Sequence, residues 1–236
     1  MRNVKQVVLC LAVVIVALAS ASAPVYADTI YNAPPTNDWG YGSAMTDGIL
    51  IGFAGTARVL NDITVQVCVS DPGPPPGYNG PAQLWADIGL TLFSVGANDT
   101  VGDTLYTTSA GFSLATGQGP YTPQPVDFPQ IGITAPETMI VAVTVLGTDD
   151  NWGPSGPGSV TLAGSNGATV GSDGGEVYFG PGEQGGIPFP LTPGMAPTEQ
   201  GSPFALTVAA VPEPSTLVLL GIAALGLLAY ARRRRG

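Results

Sequence analysis

The chain contains no histidine, and its positive charge is confined almost entirely to its two ends. Of the 7 basic residues, Arg2 and Lys5 open the sequence and Arg232, Arg233, Arg234 and Arg235 close it, which leaves Arg58 alone between Asp28 and Val211. Of the 17 acidic residues, only Glu213 lies outside that interval. The body therefore sets one base against sixteen acids, a net charge near −15. A nucleic-acid interface needs a basic footprint that displaces counterions, and one arginine does not make one. Phosphate-cradling loops of the Walker type and covalent amine catalysis need a lysine. Ser-His-Asp and Cys-His centres need an imidazole. Zinc sites draw mostly on His and Cys. What remains open is carboxylate chemistry and the holding of hard cations by oxygen ligands. The acid surplus favours solubility and attracts divalent cations. It does not signal disorder, because only 10% of the chain is charged while 44% is hydrophobic.

Cysteine is nearly absent too. Cys10 and Cys68 are the only two, and Cys10 falls in the leader described next. A body left with one cysteine has no internal disulfide and is held by its core. Cys68 reads either as a small buried residue or as a partner for an intermolecular bridge.

Arg2 and Lys5 precede an apolar run from Val7 to Ala19, and Val25-Tyr26-Ala27 places small or permissive residues before Asp28. This is the layout of a secretory signal peptide cut between Ala27 and Asp28. The alternative cut after Ala23 would put Pro24 next to the scissile bond. An uncleaved anchor is the other reading of the same residues, disfavoured by the short apolar run.

At the other end, Leu217 to Ala231 is a 15-residue run without a charge. As a helix it spans roughly 22 Å, against the roughly 30 Å of a bilayer core. Snorkelling of Arg232 and inclusion of Ser215 and Thr216 stretch it toward a span. Arg232–Arg235 hold that end in the cytoplasm by the positive-inside rule, so the body lies across the membrane. Pro212 and Pro214 keep the preceding segment extended, in a form that a processing enzyme can grip. Pro212-Glu213-Pro214, a short apolar helix and a terminal arginine cluster together resemble the PEP-CTERM sorting signal of Gram-negative bacteria. That resemblance implies recognition of Pro212, Glu213 and Pro214 by an exosortase, a membrane-embedded cysteine transpeptidase. It also implies export through the secretion translocon and a link to exopolysaccharide or biofilm matrix. It covers only the tail.

The body from Asp28 to Val211 carries period-2 alternation and no long helical period. Ile49, Ile51 and Phe53 share one face, as do Ile63, Val65, Val67 and Val69, and Leu84, Ala86, Ile88, Leu90 and Leu92. Met139–Leu146 reads as a central strand, and shorter strands are expected at Val160–Leu162, Val177–Phe179 and Phe204–Val208. Asp71–Pro81, with its Pro-Gly-Pro-Pro-Pro-Gly, and Gly117–Gln130 read as loops. The expected fold class is all-β, an antiparallel β-sandwich with the jelly roll as one form of it. A signal helix precedes the body and a membrane helix follows it. The division is a signal peptide at 1–27, a sandwich at 28–180, a Pro/Gly-rich segment at 181–203, a last strand at 204–211, and the sorting signal at 212–236 with its membrane helix at 217–231. In the segment 181–203, Ile187, Phe189 and Leu191 offer apolar pins to the sandwich. The spacing from Arg58 through the Asp149–Trp152 loop to Gly158–Leu162 also resembles uncharacterised sandwich domains found ahead of such tails, which implies no activity.

Two acidic loops carry what chemistry there is. Asp149, Asp150 and Asn151 follow a strong strand and precede Trp152, and Asp173 and Glu176 flank a Gly-Gly pair. Oxygen ligands at strand ends suit Ca²⁺, and Trp152 beside carboxylates suits a sugar ring. The same residues are also what ordinary turns use. A glycosidase needs two carboxylates about 5–10 Å apart across a cleft, and nothing in the sequence selects a pair. Trp85 and Tyr78 flank the Pro-rich loop, and each reads as a core lid or a contact surface. The expectation is an exported, exosortase-processed structural protein without enzymatic activity or an obligatory cofactor. A Ca²⁺- or carbohydrate-binding module is the alternative, and a carboxylate-dependent glycoside hydrolase the remote one.

Overall fold

The computed structural model describes residues 27–40, 46–55, 59–69, 83–115, 122–150, 160–179, 191–200, 204–211 and Gly226. The expected signal helix and membrane helix lie outside these residues, apart from Gly226, which is helical. Within them the chain forms β1 (Asp28–Ala33), β2 (Pro35–Gly40), β3 (Thr46–Gly52), β4 (Val59–Val69), β5 (Gln83–Val95) and β6 (Val101–Ala115). There follow β7 (Pro123–Pro129), β8 (Thr138–Asp150), β9 (Val160–Ser165), β10 (Ser172–Phe179), β11 (Glu199–Gln200) and β12 (Leu206–Val211). No described helix is long and apolar enough to cross a membrane.

All pairings are antiparallel and build two sheets. In the first, β7 and β12 flank β4, and β1 lies outside β12. The far end of β4 pairs instead with β9, which carries β2 on its other side. So β1–β2 is one edge strand broken at Pro34–Pro35, and β9 and β12 lie head to tail along β4. The second sheet runs β11-β10-β3-β8-β5-β6. With each broken strand counted once, the sheets run first–eighth–third–sixth and second–seventh–fourth–fifth in chain order. That is the jelly-roll arrangement of two interlocked Greek keys. The hairpin β10–β11 is inserted between the two halves of the eighth strand and widens the second sheet.

The period-2 patterns bury the faces expected of them. Ile63, Val65 and Val67 of β4, Leu84 to Leu92 at alternate positions of β5, and Met139, Val141, Val143 and Val145 of β8 meet in one core between the sheets. Two bulges adjust the phase. One at Asn61 lets Leu60 and Ile63 both point inward. The other, between Thr29 and Tyr31, does the same for Ile30 and Tyr31.

A smaller apolar cluster sits on the outer face of the second sheet, where Leu50, Phe93, Val101, Ile140 and Ala142 are covered by Leu191, with Met195 packed against them. Backbone bonds hold this arm in place: Val101 N donates to Met195 O at 2.8 Å, and Gly194 N donates to Val101 O at 2.6 Å. Leu191 thus acts as the pin that its sequence expects, whereas Ile187 and Phe189 lie outside the described residues.

One expectation needs correction. Gly117–Gln130 is not loop throughout, because β7 occupies Pro123–Pro129. Its prolines stand at 123, 125 and 129, alternating with Val126 and Phe128, which are buried. Among the described strands β7 is an edge strand that pairs with β4, and proline at alternate edge positions leaves its missing N–H toward the free side. Gln124 also closes the end of β6: its amide accepts from Ala115 N at 2.8 Å and donates to Ala115 O at 2.9 Å.

Candidate functional site

The body begins and ends at the same pole. Asp28 pairs with Ala210 and Thr29 with Ala209, while Val211 pairs with Val59 of β4. The residue after the expected signal cut is therefore hydrogen-bonded into the strand that leads directly into Pro212. Only Pro212–Thr216 separate β12 from the apolar run. Five extended residues reach about 17 Å at most. β4 runs from Val59 at this pole to Val69 at the other, and eleven strand residues cover about 35 Å. The described strand ends Val69, Gln83, Ala115, Pro123, Asp150 and Val160 lie at the far pole. Pro212, Glu213, Pro214 and the arginines 232–235 lie outside the described residues, as does Trp152.

The acidic candidates do not converge. Asp149 and Asp150 close β8 at the far pole, in register with Trp85 and Leu84. Asp173 pairs with Ile51, which pairs with Met139, so it lies at the opposite end of β8. Met139 and Asp149 are ten residues, about 33 Å, apart along that strand. Glu176 lies between them in β10, opposite Gln200. A single centre built from Asp149, Asp150, Asp173 and Glu176 is therefore not formed. Among the described residues no three His, Cys, Asp or Glu side chains group as metal ligands.

Asp173 has local work. Its Oδ2 accepts from Ala168 N at 3.1 Å, closing the turn between β9 and β10. That turn crowds β1: a β-carbon on Gly171, whose φ is +75°, would lie 2.5 Å from Gly52 O and 3.0 Å from Ile30 O. With Pro34, Pro35, Thr36, Asn166 and Thr169, Asp173 lines an open depression of about 470 Å³. Burial, helped by the nearby Asp173 charge, pushes the Tyr31 phenol well above its ordinary range, and its hydroxyl has no partner.

Two features escaped the sequence reading, and a third decides between readings that the sequence left open. Asp47 is the first. It shares the inward face of Ile49 and Ile51, is 2% exposed, and its Oδ1 has no hydrogen-bond partner. Desolvation pushes its carboxyl up from 3.8 to about 7. The second is a carboxylate pair on the outside of the first sheet. Thr64 Oγ1 donates to Asp127 Oδ1 at 2.7 Å. The neighbouring Asp62 is raised by burial and by the Asp127 charge, offset in part by a backbone hydrogen bond from Ile63.

The third is Trp85. It is no core lid but stands 48% exposed on the outer face of the second sheet, and Leu146 on the same face is 50% exposed. Leu146 is the extra residue of a bulge between the pairs Asp87–Gly147 and Ile88–Val145, and it leans over Gly89. Between Trp85 and Leu146 runs a cross-strand row of Gly111, Asp87 and Gly147. A β-carbon at Gly147 would meet nothing within 4 Å, and one at Gly111 would touch Asp87 Oδ1 at 3.0 Å. The only sequence signal for this surface was phase, since Trp85 and Asp87 alternate with the buried Leu84, Ala86 and Ile88.

Cys68 is fully buried against Ala163 and Ala205, and burial pushes its thiol up to about 11. An intermolecular disulfide there has no access.

Comparison with known proteins bears on the tail alone. Residues 210–235 match the family model of the PEP-CTERM protein-sorting motif. No curated protein and no solved structure matches the chain.

Proposed function

We propose, for a chain whose tail carries the PEP-CTERM motif of exosortase-targeted exported proteins, a structural role at the cell surface or in the extracellular matrix. In this reading the translocon exports the body across the inner membrane of a Gram-negative-type bacterium. The signal peptide is removed at Ala27–Asp28, and the apolar run holds the body at the membrane until an exosortase processes the Pro212–Pro214 region. The body acts as a non-enzymatic module. The reading is supported by its lack of histidine and lysine and by a core that needs no disulfide.

The observation that carries it is the pairing of Asp28 with Ala210. Both membrane-directed ends leave one pole, so the strand ends at Gly40, Val69, Ala115 and Asp150 face away from the bilayer. Only five residues lie between β12 and the apolar run, so scission within Pro212–Pro214 releases the sandwich whole.

The intact mass of the surface-exposed protein tests this. The expected mass begins at Asp28 and ends between Val211 and Pro214, with or without an added group. A mass that still includes Arg235 would make the tail a plain anchor and end the proposal.

A further inference from the structure

We propose that the outer face of the second sheet around Trp85, Asp87 and Leu146 is a binding site for a neutral polysaccharide. This deepens the proposed surface role, since export is what brings the face to such polymers.

The face is divided in two. Toward one end, Leu50, Phe93, Ile140 and Ala142 are apolar and closed by the chain's own Leu191 and Met195. Toward the end where β5 begins, Trp85 and Leu146 on the same face are exposed, and there the sequence places a large aromatic ring in the outward phase. A half-exposed tryptophan beside a half-exposed leucine is an apolar surface that a monomeric exported body has reason to avoid unless it is used. The two side chains are walls. Trp85 and Gly89, over which Leu146 lies, are four residues apart on β5, about 13 Å. The floor between them is Gly111 and Gly147 on either side of the Asp87 carboxylate, a trough that any larger side chain would fill. Among the described residues β6 is the edge strand, and no further described strand closes the trough on that side.

The chemistry of these walls and floor selects the occupant. The indole offers a flat apolar face with a polar tip, suited to the C–H face of a sugar ring. The Asp87 carboxylate offers acceptors only, for hydroxyl donors. A trough open at the edge accepts the interior of a polymer rather than only its end. The body's net charge near −15 repels polyanionic chains, and its sequence between Asp28 and Val211 holds one base, Arg58, against sixteen acids. A second copy of the chain would set Asp87 against Asp87 and one acidic body against another. A neutral, hydroxyl-rich polymer meets none of these penalties.

The test uses the full chain in detergent micelles, co-sedimented with insoluble β-1,3-glucan, cellulose and mannan, with alginate beads as the polyanionic comparison. Binding to at least one neutral polymer and not to alginate is expected. Trp85→Ala, Asp87→Ala and Gly147→Leu should each weaken it at least tenfold with unchanged thermal midpoints. Leu105→Ala, exposed elsewhere on the same sheet, should leave it unchanged. The proposal is overturned by no binding to any neutral polymer, by preference for alginate, or by equal binding of Trp85→Ala. It is equally overturned if Trp85→Ala instead converts a dimer to a monomer, which would assign the face to a second copy. None of these results depends on where the tail is cut, so the mass measurement above can fail or succeed independently.

Discussion

Replacing Asp47 with Asn should change how stability depends on pH. Asp47 faces the core beside Ile49, with Val143 of β8 and Phe179 of β10 as cross-strand neighbours. Burial pushes its carboxyl up to about 7 in the folded body against 3.8 in an open chain, because the charged form loses water and Oδ1 has no hydrogen-bond partner. A raised carboxyl pKa means that the folded state holds a proton which the unfolded state has already released. The fold therefore loses stability as pH rises from about 4 to about 7, and the loss levels off above that. A gap of about three pH units corresponds to about 4 kcal/mol at the plateau. Between about pH 4.5 and 8.5 the wild type should lose about 3 kcal/mol relative to Asp47→Asn. The amide's own unsatisfied donors cost about 1–3 kcal/mol, but equally at every pH, so the slope is the diagnostic. For a body of this size about 3 kcal/mol is about 6–12 °C in thermal midpoint. Thermal unfolding of both proteins across that range measures the difference and cancels the remaining acids. Parallel curves for wild type and variant would refute the desolvated carboxylate.

Cys68 should resist alkylation in native buffer and react only in denaturant, and Cys68→Ser should cost about 1–3 kcal/mol by burying a hydroxyl beside Ala163 and Ala205. Prompt labelling of the folded protein would contradict its burial. Leu191→Ala should cost about 2–3 kcal/mol and speed proteolysis within 191–200, since that side chain covers Leu50, Phe93 and Ile140. An unchanged midpoint and digestion pattern would mean that the arm is held by its backbone bonds to Val101 alone.

The inward faces of β4, β5 and β8 could be read directly from alternating residues, because a half-buried strand writes its burial into every second position. β6 could not. Its Gly, Ser and Thr residues lie mostly at the surface of an edge, where the core imposes no period. β7 was concealed by its prolines, which are excluded from a central strand yet tolerated at an edge, and edge status belongs to the sheet and not to the segment. The acidic candidates show the same limit. Asp149–Asp150 and Asp173–Glu176 are alike in local sequence, yet most of a strand's length separates Asp149 from Asp173. Trp85 was visible as an aromatic beside a loop, but its exposure followed only once Leu84 and Ala86 had taken the inward positions.

Features carried by short contiguous stretches were already complete in the chain: the proline-flanked sorting signal, the stripped-down inventory of reactive side chains, and the all-β character. Each depends on neighbours a few residues apart, and local chemistry suffices for those. The interlocked strand order, the meeting of Asp28 with Ala210 and the trough beside Trp85 bring together residues from strands far apart in the chain. Their alignment is set by which of many possible strand pairings buries both sheets at once, a condition that no single segment carries.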